Sequence, residues 1–476
     1  MPRKATRKAS TDGSWSSADP PVGRRDGIRA IAILSNYGNR NLGDEATLAA
    51  ILQQIRDRCD GVRLYAVSFD PEDTEARHGV TALPAQRETR RRSVPPAGGP
   101  GGAPAARAVP PTALAWITSR LRSVPPIRAG WRVLRALSSR ARGALAESAF
   151  VLRTVRSLKG IDCLVVGGGG QLSDDFGGTW AFPYLVLKWS VMARLAGARV
   201  LFASVGAGPL DSRLARLFVT VALRLADHRS FRDEGSRRLI AGLGVAGPVY
   251  ADPAWVLRVK DSGIEARPGP APLVVGLNPF PHQDARYWPG GQRVRYEAYL
   301  EALVGFTEWL LTRGHPVVLF PTQLKADPRV IADLKAVLTA RNPALASQVL
   351  ERAVETVDDL VATISSLDMV VSGRFHGILL SFLQGKPVLG LSYQSKIDEL
   401  MQETGQGAYL LQSADVDARS LAERFEALEA ARTGIAVRLA EEAASRRRAL
   451  ESQFDLLFGA TRSRPTTVIT PGAKTA

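Results

Sequence analysis

The sequence predicts an α/β protein of two open parallel sheets, one in each half of the chain, with a ligand cleft between them. Three observations carry this. Short apolar, β-branched runs alternate with segments of helical period along most of the 476 residues. One Pro/Gly-rich stretch, "SGIEARPGPAP" (262–272), divides the alternating series into two halves. Several strands run straight into glycine-rich or charged loops, and open α/β sheets bind ligands outside the carboxyl ends of their strands.

In chain order, residues 1–26 are polar and basic and are expected to be disordered. An N-terminal domain is expected over 27–262. "IRAIAILSNYG" reads as a buried strand entering a glycine loop. "GDEATLAAILQQIRDRC" follows as a helix with Leu48, Ile51, Leu52 and Ile55 on one face, then "VRLYAVSFD" as a second strand. An Arg/Pro-rich insertion occupies 85–160. Its first part, "RRRSVPPAGGPGGAPAARAVPP", is low-complexity and expected to be unfolded, and residues 113–158 are helical in character. Strand-like runs resume at "CLVVGGGG", "RVLFASVGAG", "HRSFRD" and "PVYADPA". A C-terminal domain is expected over 263–460: "LVVGLNP", a helix near 295–313, "PVVLFPTQ", a helix near 328–341, "MVVSGRFHG", a helix, "PVLGLSY", then helices. Residues 461–476 read as a flexible tail.

Composition narrows the class. With 45% hydrophobic and 23% charged residues the chain is of globular type. No apolar run reaches the ~18 residues of a membrane span, and the basic start lacks the apolar core of a secretory signal. Two cysteines, Cys59 and Cys163, do not make a disulfide framework; Cys163, inside "IDCLVV", reads as a core residue, and a cytoplasmic location is expected. The net charge of +16 is unevenly placed: fifteen basic residues face two acidic ones between Arg87 and Lys159. Residues 1–29 carry a further excess, and the remainder is close to neutral. Each basic residue near an anionic leaflet contributes about 1 kcal/mol, so peripheral contact with the inner face of a membrane through 85–160 is one expectation. Packing on the domain with a solvated arginine face is the other. Nucleic acid is not expected, because the basic part has only two tryptophans and no reading motif.

Five motifs concentrate the chemistry. "SNYGNRNLGDEATL" (35–48) places Asn41, Asp44 and Glu45 at a helix start behind a glycine loop, where backbone amides can meet an anion. A plain turn with Asp44 as N-cap is the alternative. "VVGGGGQLSDD" (165–175) holds four glycines, including Gly168, Gly169 and Gly170, after a buried strand, a run whose entropic cost suits close backbone approach. "SFRDEGS" (230–236) offers Arg232 as an anion clamp or as one half of an Arg–Asp pair capping the next helix. "SGRFHG" (372–377) is the sharpest: Arg374 presents a fixed cationic fork and His376 titrates near neutrality. "SYQSKID" (392–398) adds Lys396 at another strand end. The remaining histidines, His78, His228, His282 and His315, show no metal-ligand spacing, so no metal site is expected.

In this order, the motifs resemble those of the polysaccharide pyruvyl transferase family, over residues 28–430 apart from the insertion. "GNRNLGDEA", "GGGG", "FRDEGS", Arg374-Phe375-His376 and "GKPVLGLSYQSK" carry the resemblance. It implies two Rossmann-like domains arranged as in GT-B glycosyltransferases. It also implies transfer of the pyruvate moiety of phosphoenolpyruvate to a sugar of a cell-surface polysaccharide or glycolipid, giving a ketal. Arg374, Arg232 and Lys396 would neutralise the donor's carboxylate and phosphate, and His376 would be the general acid that protonates its methylene carbon. Asn41, Asp44 and the Gly167–Gly170 loop would hold a glycan or lipid-linked glycan acceptor. The chemistry requires no cofactor and no metal. Two features depart from the family: Asn278 in "GLNPF" stands where members often have an arginine, and the insertion is unlike compact members. Two rival readings are a nucleotide-sugar-dependent glycosyltransferase on the same fold and a non-enzymatic membrane-surface scaffold. The first lacks an acidic pair at seven-residue spacing in the second domain, and the second gives Arg374 and His376 no role.

Overall fold

The computed structural model describes residues 28–87, 125–175, 177–259, 272–288 and 290–459. The expectations for residues 1–26, for the low-complexity part of the insertion, for nearly all of the 262–272 linker and for the 461–476 tail fall outside the described residues.

Among the described residues, the strands form two six-stranded parallel sheets. The first comprises β1 (Ala30–Leu34), β2 (Arg63–Ser68), β3 (Thr81–Pro84), β4 (Cys163–Gly167), β5 (Arg199–Val205) and β6 (His228–Phe231), in the order β3-β2-β1-β4-β5-β6. The second comprises β7 (Val275–Asn278), β8 (Val317–Leu319), β9 (Leu350–Glu351), β10 (Met369–Ser372), β11 (Val388–Ser392) and β12 (Leu410–Gln412), in the order β12-β11-β10-β7-β8-β9. From its first strand outward, the second sheet repeats the plan of the first. Each therefore reverses direction of winding once, between β1 and β4 and between β7 and β10. Those two reversal points are where a doubly wound sheet opens a ligand crevice. The central strands β1, β4, β7, β10 and β11 are buried along their whole length, as sheets covered on both faces require.

The structure differs from expectation at the margins. "PVYADPA" is not a strand. Val249 makes one isolated bridge to Phe231, after which Asp252 accepts from the Ala254 amide (3.0 Å) and starts the 3-10 turn Pro253–Val256. Pro253 has no N–H for a ladder, which explains the break. Edge strands β3, β9 and β12 and the Pro71–His78 helix were not read from sequence, because these elements are short and largely solvent-accessible and carry no clear period. From residue 125 the insertion forms one helix, Pro125–Ser157, anchored through Phe150 with Leu158 just beyond its end; residues 113–124 of the expected helical stretch lie outside the described residues. Cys163 is wholly buried.

The two faces of the first sheet bury different cores. Ala30, Ala32, Leu164, Val166 and Phe202 face an outer layer of helices that includes Phe182–Leu195 and Arg213–Arg224. Ile31, Ile33 and Val165 face the Leu42–Arg56 helix, whose core runs on through Ala254–Leu257 into the C-terminal half. The last helix, Ala418–Phe458, is about 60 Å long at 1.5 Å per residue. It packs along Arg293–Thr312 and ends back against the first sheet, where Gln453 bonds Ser204 (3.0 Å) and Ser230 and Asp455 pairs with Arg58 (2.8 Å). Opposite them, Leu42 N donates to Thr322 O and Leu324 N to Arg40 O, both at 2.9 Å. The halves are thus fastened across the cleft by backbone as well as by a shared core. No described helix is long and apolar enough to cross a membrane.

Candidate functional site

The loop after β1 is fixed before it can bind anything. Asn41 is the N-cap of Leu42–Arg56, accepting from Gly43 N at 3.2 Å. Asp44 therefore lies in the first turn, correcting the alternative that made it the cap. Its Oδ2 accepts from Asn36 Nδ2 (3.0 Å) and Asn41 Nδ2 (2.8 Å). Burial pushes the Asp44 carboxyl above its ordinary range, against the opposing pull of His376. Glu45 is a brace, accepting from Gly38 N (3.0 Å) and standing 2.7 Å from His78 Nε2.

The glycine run after β4 divides its labour. Gly168 and Gly169 have φ of 61° and 64°, in the left-handed region. A Cβ on Gly168 would lie 2.4 Å from Thr47 Cγ2, so Gly168 makes room for Thr47 and does not line the small cavity described below. Gly169 and Gly170 do line it.

On the C-terminal side, Asn278 is wholly buried. It donates to Phe320 O (2.9 Å) and accepts from Ser372 Oγ (2.9 Å), tying β7 to its neighbours on both sides. Asn278 thus has a structural part there. Arg374 N is held by Ser372 Oγ (3.1 Å), and its guanidinium binds Asp327 through Nε (3.1 Å) and Nη2. Asp327 also accepts from Thr322 N (3.0 Å) and Gln323 N (2.8 Å), so the carboxylate that aims Arg374 is itself fixed. Burial works against the guanidinium charge, but Asp327 more than compensates and holds its pKa above the ordinary value.

His376 stands in the first turn of Phe375–Leu383 and crosses to the other domain. Its Nε2 is 3.2 Å from Thr47 Oγ1 and 3.8 Å from Asp252 Oδ1. Thr47 Oγ1 is also within 3.2 Å of Asp252 Oδ1. Asp252 is buried, and its Oδ2 has no hydrogen-bond partner among the described residues. Burial alone would raise its pKa; the nearby His376 and Arg232 outweigh that and hold it below the usual carboxylate value. Arg232 lies between Asp233 Oδ2 (3.1 Å from Nε) and Asp252 Oδ2 (3.8 Å from Nη1), with its guanidinium carbon 4.5 Å from the Phe375 ring centroid. Asp233 caps the Glu234–Ala241 helix, so the Arg–Asp cap and a cavity-lining Arg232 occur together. Lys396 has no ion-pair partner within 4 Å among the described residues. Burial and the Arg232 charge lower its pKa to about 8.

Arg232, Arg374, His376 and Lys396 line one cavity of about 100 Å³ with Asn41, Asp44, Gly169 and Gly170. Asn41, Asp44, Gly170, Arg374, Tyr393 and Lys396 also line a cleft of about 860 Å³, so the small cavity is its inner end. Trp180, Phe182 and Tyr184 wall that cleft on one side, Tyr287 and Trp288 on the other. Sequence reading missed Thr47, Asp252 and Asp327. Thr47 lay inside the quoted "GDEATL" and Asp252 at a strand-like end, whereas nothing local distinguishes Asp327 in "LKADP". Among the described residues no group of three or more His, Cys, Asp or Glu is placed to hold a metal ion.

Comparison with known proteins adds the following. The sequence model of one protein family, polysaccharide pyruvyl transferase, matches residues 41–395. A sequence comparison with curated proteins found no match. Among solved structures, the UDP-GlcNAc 2-epimerase from Neisseria meningitidis bound to UDP-GlcNAc aligns with TM-score 0.51 and 11% identity, over 90% of this chain and 99% of the other. The S. aureus MnaA-UDP co-structure aligns with TM-score 0.51 and 10% identity, over 90% and 96%. The UDP-GlcNAc 2-epimerase from Methanocaldococcus jannaschii gives 0.50 and 9%, over 84% and 92%. At these identities the likeness is one of fold: two Rossmann-like domains around a cleft.

Proposed function

This chain belongs to the polysaccharide pyruvyl transferase family, and on that premise we propose that it transfers the pyruvate moiety of phosphoenolpyruvate to a sugar, forming a ketal. The observation that carries the reading is the convergence of Arg232, Arg374, Lys396 and His376, from both domains, on one cavity of about 100 Å³. Phosphoenolpyruvate presents a carboxylate and a phosphate, and three cations at one point suit such a dianionic end.

His376 protonates the donor's methylene carbon, leaving a cationic carbon that bears the carboxylate and the phosphate ester. A sugar hydroxyl attacks that carbon and gives up its proton. Asp44, whose pKa is raised and which lines both cavity and cleft, is placed to take it. The C–O bond to phosphate then breaks, its electron pair leaving with the phosphate, and a second hydroxyl closes the ketal and returns its proton to His376; the phosphate takes up the proton held by Asp44, so one donor and two hydroxyls yield the ketal and inorganic phosphate. Thr47 and Asp252 are positioning residues: they hold the imidazole from the other domain. The aromatic-walled cleft takes the glycan acceptor, since apolar ring faces and polar edges suit a sugar.

Isothermal calorimetry tests this. Phosphoenolpyruvate is expected to bind in the micromolar to millimolar range, and Arg374→Ala and Lys396→Met each weaken it in folded protein. Binding of a nucleotide sugar with no binding of phosphoenolpyruvate would overturn the reading in favour of a glycosyltransferase.

A further inference from the structure

The helices Pro125–Ser157, Phe182–Leu195 and Arg213–Arg224 lie side by side over the outer face of the first sheet. Inward they bury Phe150, Trp189 and Val219. Their outward sides are also apolar, where a helix facing water is ordinarily polar. On Arg213–Arg224, Leu214 and Leu217 are exposed and share a stripe with the partly buried Phe218 and Val221, at the i, i+3, i+4, i+7 spacing of one helix face. On Phe182–Leu195 the matching stripe is Tyr184, Leu187, Val191 and Leu195. Trp180, 67% exposed, joins the two stripes, its ring 5.4 Å from Tyr184 and 5.6 Å from Phe218. Leu145 and Leu152, two turns apart and both exposed, extend the apolar surface onto the third helix. Single exposed leucines are ordinary, but a band across three adjacent helices is not.

The charge around the band favours one kind of partner. In sequence these three helices hold twelve Lys and Arg residues and a single acid, Glu147, which is engaged by Lys188 at 2.9 Å. The Ala418–Phe458 helix, by contrast, carries seven of each sign. Arg142, Arg153 and Arg156 accompany Leu145 and Leu152, and Arg213, Arg216 and Arg224 accompany Leu214 and Leu217, all of them exposed. Trp180 and Tyr184 also line the 860 Å³ cleft, so the band reaches the cleft's mouth.

We propose that this outer helical face docks on an anionic lipid bilayer. Leucines and Trp180 enter the headgroup–acyl boundary, and the arginines lie against lipid phosphates. A second copy of the chain fits less well, because a two-fold interface would set the same cationic surround against itself. Docking by this face brings the cleft to the bilayer surface, where a glycan carried on lipid would be presented. The assignment does not depend on which donor the small cavity holds.

The test is sedimentation of the full chain with phosphatidylcholine vesicles, with and without phosphatidylglycerol. The unaltered protein is expected to pellet with the anionic vesicles. Leu214→Glu/Leu217→Glu should lower its affinity for them by about tenfold or more. Val294→Glu/Val437→Glu, which adds the same charge at exposed apolar positions elsewhere, should stay within about threefold of the unaltered protein. Circular dichroism and melting confirm that each variant is folded. Three outcomes overturn the proposal: the unaltered protein stays in the supernatant; Leu214→Glu/Leu217→Glu binds as tightly as the unaltered protein, so that charge elsewhere suffices; or light scattering shows that this variant splits a dimer, so that the face joins two copies.

Discussion

Gly43 and His376 belong to different domains and meet with no room for a side chain between them: a Cβ on Gly43 would stand 2.2 Å from His376 Nδ1 and 2.4 Å from its Cβ. The imidazole cannot yield by swinging only its tip, because its root is equally close. Overpacking of this kind costs about 1–3 kcal/mol, or separates the domains that share the core. Gly43→Ala is expected to lower kcat for phosphoenolpyruvate-dependent phosphate release by about tenfold or more and to depress Tm, with a smaller change in KM. An unchanged kcat would mean that the position of His376 is not used.

Asp252 touches His376 and Arg232 but not the cavity itself. Asp252→Asn keeps the shape and removes the negative charge from beside the ring. A fall in kcat of about 10²-fold, with phosphoenolpyruvate affinity changed only a few-fold, is expected. Steady-state kinetics beside calorimetry separate the two. Equal losses in both would make Asp252 a binding residue acting through Arg232.

The Arg374–Asp327 pair is buried, so its two halves should not be removable independently. Arg374→Ala leaves Asp327 with only its bonds to the 322–323 segment and is expected to cost about 3–5 kcal/mol in urea unfolding. Adding Asp327→Asn should recover part of that stability and none of the phosphoenolpyruvate binding. Recovered binding would place the donor's anionic groups elsewhere.

Lys396 gives a pH dependence with a definite sign. Its pKa in the folded chain, about 8, lies below the unfolded value of 10.5. Between those values the unfolded chain binds more protons, so this group's contribution to stability rises with pH across that window and is least favourable below it. Donor binding is expected to run the other way, because an anionic ligand such as phosphoenolpyruvate is attracted by the ammonium and not by the neutral amine. Its affinity should fall as pH rises past about 8, and titrations near that pH should show proton uptake on binding. Lys396→Met should bind more weakly below about pH 8, approach the unaltered protein above it, and lose that step.

The order of the elements was set by local sequence. Buried runs such as "AIAIL" and "CLVVG" can only be central strands, and the chemistry at their ends announces itself as glycine runs and unpaired-looking charges. From that alone Arg374, His376, Arg232, Lys396 and Asp44 stand out, because each follows a strand that a core would have continued apolar. Short edges such as β9, two exposed residues long, leave no such mark. What only the tertiary structure decided is which group answers which. Thr47 and His376 are 329 positions apart and lie 3.2 Å from each other. Asp327 aims Arg374, Asp252 supports the imidazole, and three unrelated helices align their exposed leucines, all through distances between segments remote in the chain. Periodicity and propensity act over a few residues, whereas electrostatics, close packing and exposed surface depend on separations in space that exist only once both sheets have folded against the shared core.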